Sequence, residues 1–121
     1  MTRRNEKSSA ARSDENVEKA FIYCRVSSEV QGEGYSLQTQ LEACKAYAEQ
    51  RGYVITQVLE DMHTGTVLDR PSIKQLLERL RRREGTVVLV YDLDRLTRDP
   101  DHLAILEQEI EDAGARVEYV L

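Results

Sequence analysis

The sequence predicts an α/β domain: a three-layer arrangement around a mainly parallel sheet of four or more strands, in the order β-α-β-α-β-α-β. Three observations predict it. Short apolar runs alternate with longer stretches whose apolar residues recur at helical spacing. Gly52, Gly85 and Gly114 each follow a helical stretch, where a C-terminal cap is wanted. Polar loops follow each apolar run, and connections this short imply right-handed crossovers with helices on both faces.

Residues 1–19 are polar and charged, without apolar periodicity, and are expected to form a disordered leader ahead of a domain spanning 20–121. Residues 20–26 form the first apolar run, a buried strand, followed by a polar loop over 27–35 with Gly32 and Gly34. Ser36 is placed to cap a helix carrying Leu37, Leu41, Cys44, Tyr47 and Ala48 on one side, ended by Gly52. Residues 53–59 predict a second strand, and 60–69 a second polar loop. A helix from about Pro71 carries Ile73, Leu76, Leu77 and Leu80, with Gly85 closing it. Residues 86–91 are the most strand-like run, and 92–99 a charged connection. Asp99-Pro100 predicts a cap followed by a proline in the first helical position. Leu103, Leu106, Ile110 and Ala113 then mark a helix that Gly114 ends, and 115–121 starts a fourth strand. A stop in or just after a strand suggests a piece of something longer.

A chain of 121 residues suits one domain with a real core. Its net charge of −5 argues against holding nucleic acid by bulk electrostatics, yet leaves room for a local phosphate site. No apolar run approaches the ~20 residues of a membrane span, and the N-terminal arginines lack an apolar stretch behind them. Cys24 and Cys44 fall on apolar faces with no metal-ligand spacing, which predicts reduced core residues in a cytoplasmic protein.

The chemistry lies in the three strand-to-helix loops, which this topology opens on one sheet edge, outside the strands' carboxyl ends. The first carries Arg25, Ser27, Ser28 and Gln31 and leads to Ser36 and Gln40. The second ends in Asp69-Arg70-Pro71. The third is Asp94-Arg95-Leu96-Thr97-Arg98. A serine hydroxyl needs charge stabilisation nearby to act as a nucleophile. Four arginines suit phosphoryl transfer, because planar guanidinium forks match the equatorial oxygens of its transition state. Arg95 and Arg98 would share a side if 94–98 turns helically. His63 and His102 have no obvious acidic orienter and are expected to be surface residues. Arg81, Arg82 and Arg83 are expected to be solvated charge at a helix end. Gly32-Glu33-Gly34 lacks the Gly-Lys-Ser/Thr ending of a phosphate loop.

Taken together, Tyr23-Cys24-Arg25-Val26-Ser27-Ser28, Gln31, Ser36-Leu37-x-x-Gln40, Asp69-Arg70-Pro71 and Asp94-Arg95-Leu96-Thr97-Arg98 resemble the catalytic domain of serine site-specific recombinases. This is the resolvase/invertase family, and the long first loop and Arg70-Pro71 look most like its large members. The resemblance implies that Ser27 attacks a double-stranded DNA phosphate to give a 5′-phosphoserine link and a free 3′-hydroxyl. It implies that Arg25, Arg70, Arg95 and Arg98 cradle the phosphate, that Asp94 and Gln40 orient or assist, and that Gln31 stands near. It implies no metal and no nucleotide cofactor, with a dimer and then a tetramer of the full-length protein exchanging strands. Family members continue into a dimerisation helix and DNA-binding regions, so this stretch alone is expected to dimerise weakly, bind DNA poorly and recombine nothing. The alternative is a catalytically inactive α/β interaction or regulatory module derived from the same fold, with its arginines used for surface pairing, which predicts that the three loops do not converge.

Overall fold

A computed structural model describes residues 17–26, 37–62 and 71–121. Ser27, Gln31, Ser36, His63 and Arg70 lie outside the described residues. The elements are β1 (Lys19–Val26), α1 (Leu37–Arg51), β2 (Val54–Met62), α2 (Pro71–Arg81), β3 (Val87–Val90), a one-turn α3 (Leu93–Leu96), α4 (Pro100–Asp112) and β4 (Arg116–Tyr119). The four strands form one sheet in the order β2-β1-β3-β4, and every pairing is parallel.

Alternation along β1 divides the core in two. Phe21 and Tyr23 point to one face, where Leu59, Val88 and Val90 join Ile73, Leu76, Leu77 and Leu80 of α2 and Leu106 and Ile110 of α4. Ala20, Ile22 and Cys24 point to the other, with Val87, Leu89 and the Cys44 and Ala48 positions of α1. β1 and β3 are buried on both faces, as central strands of a parallel sheet must be. Both cysteines are free thiols in this second layer. Burial pushes each of them up to about 12, with Cys44 beside Cys24 adding to the effect there, so both stay protonated and unreactive near neutral pH.

The helix ends depart from expectation in one place. Gly52 and Gly114 take φ of 77° and 86° and end α1 and α4 as the spacing implied. After α2 the left-handed residue is Arg83 (φ 65°), not Gly85. Gly85 is instead demanded by close approach, since a Cβ there would stand 2.7 Å from the Phe21 ring. Arg83 is likewise more than solvated charge: its Nη1 donates to the Ala113 carbonyl at 3.1 Å, joining the ends of α2 and α4. Arg82 pairs with Glu78 in the open, as a solvated charge would.

β2 runs three residues further than its composition suggests. Glu60 and Asp61 look like loop, but they pair in register with Cys24 and Arg25 of β1. β2 lies at the sheet edge, where charged residues are tolerated because one side of the strand is open.

Gly85→Ala is expected to destabilise the domain by about 1–3 kcal/mol, the usual cost of forcing an extra methyl group into a packed core. Urea unfolding checks this; an unchanged midpoint would show that the Phe21 ring yields freely.

Candidate active site

The strand order reverses direction between β1 and β3. The chain leaves β1 toward α1 on one face and leaves β3 toward α3 and α4 on the other, the switch point outside whose strand ends open α/β sheets bind ligands. Arg25 stands near the end of β1, and residues 92–98 follow the end of β3.

Arg25 is fully buried. It extends the Phe21, Tyr23 series on the α4 side, so its side chain reaches α3. The Nε donates to the Arg95 carbonyl at 3.3 Å, and a short bond runs from Nη2 to the Asp94 carbonyl. Arg95, 8% exposed, answers by donating Nη1 to the Arg25 carbonyl at 3.1 Å. Each arginine therefore binds the main chain of the other's segment. From the opposite face Gln40 closes on the same peptide groups. Its Oε1 accepts the Arg25 N–H at 3.4 Å and its Nε2 donates to the Arg25 carbonyl at 3.2 Å. Gln40 belongs to the buried stripe of α1 with Cys44 and Ala48, a polar residue on an otherwise apolar line. Burying its amide is sustainable because both ends are hydrogen-bonded.

α3 is stabilised locally. Asp92 is extended and its Oδ1 accepts the Arg95 N–H at 3.1 Å, a helix N-cap. The same oxygen stands 4.0 Å from Arg95 Nε. Thr97 ends the turn with extended backbone (φ −168°), so 94–98 is not one helical segment. Arg95 and Arg98 consequently part company: Arg95 turns inward while Arg98 is exposed. Asp94 is exposed too, with its carbonyl engaged by Arg25. Asp99 then caps α4 through the Asp101 N–H at 2.9 Å, and Pro100 opens that helix. The Asp99 carboxylate also lies 3.5 Å from His102 Nδ1, so His102 does have an acidic neighbour, one turn into α4.

Ser27 follows β1 with only Val26 between it and Arg25, and covalent geometry keeps its Cα within about 7 Å of the Arg25 Cα. Among the described residues, the structure thus brings Arg25, Gln40, Asp94 and Arg95 together, with Arg98 on the open side of the same connection. Two contributors are not singled out by the sequence pattern. Asp92 falls in the charged connection, although an Asp directly before a helical turn is a capping residue type. Asp61 read as loop, yet it is buried in β2.

The chain matches the family model for the resolvase N-terminal domain over residues 20–120. It belongs to that family. It is 34% identical over 102 residues to a resolvase/recombinase of Pseudomonas putida, covering 84% of this chain and 51% of the relative. It is 33% identical over 92 residues to the transposon Tn917 resolvase of Enterococcus faecalis, covering 76% and 44%. The chain spans about half the length of the curated relatives it matches. Among solved structures, the N-terminal catalytic domain of TP901-1 integrase superposes with a TM-score of 0.79 at 29% identity, over 85% of this chain and 78% of that one. A resolvase family site-specific recombinase from Streptococcus pneumoniae gives 0.71 at 28% identity, over 85% and 72%. The parallel four-stranded domain is thus a serine recombinase catalytic domain in family and in fold.

Gln40→Leu keeps the size of the side chain but leaves the buried Arg25 N–H without its side-chain acceptor. A loss of about 1–3 kcal/mol is expected, together with faster hydrogen exchange at the Arg25 amide. Unaltered exchange there would show that Gln40 does not secure this strand end.

Proposed function

We propose that the domain cleaves and rejoins DNA strands, with Ser27 as the nucleophile. The Ser27 hydroxyl attacks a backbone phosphorus, giving up its proton as the new P–O bond forms. The bond to the 3′-oxygen breaks, and that oxygen leaves as a 3′-hydroxyl while the 5′-phosphate stays on Ser27. Religation is the reverse, with a 3′-hydroxyl displacing the serine. The ester retains the energy of the phosphodiester it replaced, so the chemistry calls for no nucleotide cofactor.

The observation that carries this reading is the convergence of Arg25 and Arg95 on one strand end, one residue short of Ser27. Two guanidinium groups held by a rigid sheet concentrate positive potential at this strand end without reorganising when an anion arrives. Arg98, on the open side, is the described arginine best placed to touch phosphate directly, and Arg70 brings a fourth cation from the second loop. Arg25 and Arg95 have donors committed to carbonyls, so they act on the phosphate through their charge and through the main chain they hold; direct bonding to it requires those contacts to exchange. Asp94, exposed beside them, orients a neighbouring arginine or takes the proton. Gln40 acts by fixing the Arg25 peptide, and Gln31 belongs to the loop that carries Ser27. The substrate is double-stranded DNA, and a dimer or tetramer of the full-length protein supplies one such site per strand cut.

The test uses the full-length protein and sheared genomic DNA from its source organism, with adducts trapped by detergent and the recovered duplex then offered in nicked form. Covalent protein–DNA product is expected, lost in Ser27→Ala and reduced on the order of 100-fold or more in Arg98→Ala, as for other electrostatic transition-state groups. Adduct that survives Ser27→Ala would remove Ser27 from the mechanism, and no adduct with any DNA would favour the interaction-module alternative.

A further inference from the structure

β4 is held in the sheet differently from β1 and β3. Those two strands are buried on both faces, whereas no residue of β4 is fully buried. Among the described residues β4 also stands at the sheet edge, with β3 as its strand neighbour. Val117 and Tyr119 face α4 and pack only partly against the larger core. Much of the remaining hold is polar. On the α4 face the Tyr119 hydroxyl donates to Glu107 Oε2 at 2.6 Å.

The α1 face carries a larger network, gathered at the amino-terminal ends of the strands and away from Arg25 and Arg95. Arg116 meets Glu18, the residue before β1, as a fork: Nη1 donates to Oε2 at 2.8 Å and Nη2 to Oε1 at 2.9 Å. Arg116 Nε donates to Glu118 Oε2 at 2.7 Å. The Tyr47 hydroxyl of α1 and the Tyr53 hydroxyl, from the turn before β2, both donate to Glu118 Oε1, at 3.0 and 2.9 Å. Thr86, just ahead of β3, donates its hydroxyl to Glu18 Oε2 at 3.1 Å. Side chains thus tie β4 to α1 and to the approaches of β1, β2 and β3.

An isolated exposed ion pair contributes little, and Arg116 and Glu18 are each nearly half exposed. Glu118 gives the network its grip, because its side chain is 17% exposed and accepts from a guanidinium and two hydroxyls. Burial pushes the Glu118 carboxyl up, but the Arg116, Tyr53 and Tyr47 bonds outweigh it and hold the group below its ordinary value. The Arg116 bond lowers Glu18 as well. Carboxyls lowered in the fold add stability above their unfolded pKa and lose it as pH falls through the folded one. The other ionisable neighbours of β4 are Arg51, stacked over the Tyr47 ring at 4.7 Å, and Glu107 and Glu111 of α4.

We propose that β4 is a releasable strand, docked through the Glu18–Arg116–Glu118 network, so that salt or acid detaches it while β1, β2 and β3 stay folded. Release would also free the Val90 and Tyr91 carbonyls, which accept the Val120 and Leu121 N–H groups immediately ahead of Asp92 and α3. The device stands independently of the role given to Ser27.

The experiment is residue-resolved amide exchange of the full-length protein, with each rate divided by the intrinsic rate at that pH. The probes are the Arg116, Val120 and Leu121 amides, which bond the carbonyls of Thr86, Val90 and Tyr91. Their protection is expected to fall on the order of 10-fold, the effect of one hydrogen bond to a charged group, while the β1 amides keep theirs. The fall is expected in about 1 M salt, where the screening length is about 3 Å, and on acidification from about pH 7 to about pH 3.5, past the ordinary carboxylate pKa. Arg116→Gln should reproduce it at low salt and neutral pH and abolish the further response to either condition. Protection of β4 that ignores salt, acid and Arg116→Gln would overturn the inference, as would equal losses in β1 and β4. If Arg116→Gln does not fold, Tyr53→Phe decides with the wild-type salt series: it should weaken protection in β4 and leave β1 unchanged, and any other pattern would overturn the inference.

Discussion

The end of β1 is where the structure is most constrained. The Arg25 peptide is gripped from the α1 face by Gln40 and from the α4 face by Arg95, while the Arg25 side chain runs the other way to hold the carbonyls of Asp94 and Arg95. Parallel strands this short cannot align their loops by ladder bonds alone: β1 and β3 share only four residue pairs. A reciprocal exchange between two arginines carries the alignment past the last paired residues into the loops. Hydrogen bonds with a charged partner contribute roughly 1.5–3 kcal/mol each and are costly to leave half made, so this strand end resists fraying.

The position of that exchange follows from topology. A sheet ordered β2-β1-β3-β4 sends consecutive central strands to helices on opposite faces, and the gap between them is the one place where loops can approach without a helix intervening. Buried cations there serve two purposes at once. They bind main chain, which offsets the expense of burial, and they raise the local potential in a protein whose net charge is −5. The proposed phosphate site therefore needs no strongly basic surface, because a few arginines at one strand end act at short range.

Much of the fold was legible because its signals are periodic. The apolar runs at β1 and β3, the stripe Ile73, Leu76, Leu77 and Leu80, the Asp99-Pro100 start of α4 and the glycines after α1 and α4 each carry a local physical cause that composition reveals. The departures share a cause as well. The apolar pattern ends before Glu60 and Asp61 because they are charged, and α3 is a single turn, too short for any periodicity. Gly85 sits where a cap is expected, yet its reason is the Phe21 ring, a neighbour distant in sequence. The site's residues could be named from the chain but not their bonding. Side chains that donate to carbonyls leave no partner residue type to recognise, so the burial of Arg25 and the divergence of Arg95 from Arg98 emerge only in three dimensions. The joining of residue pattern to family was secure for the opposite reason, since five short motifs in fixed order are far more specific than any one of them.

Which oxygen becomes esterified decides the role of Ser27. The measurement is tryptic digestion of the trapped protein–DNA adduct after nuclease trimming, followed by fragmentation mass spectrometry. Cleavage after Arg25 and Lys45 isolates residues 26–45, which contain Ser27, Ser28 and Ser36. A nucleotide is expected on Ser27, the first residue after β1. A nucleotide on Ser28, on Ser36 or outside this peptide would contradict it.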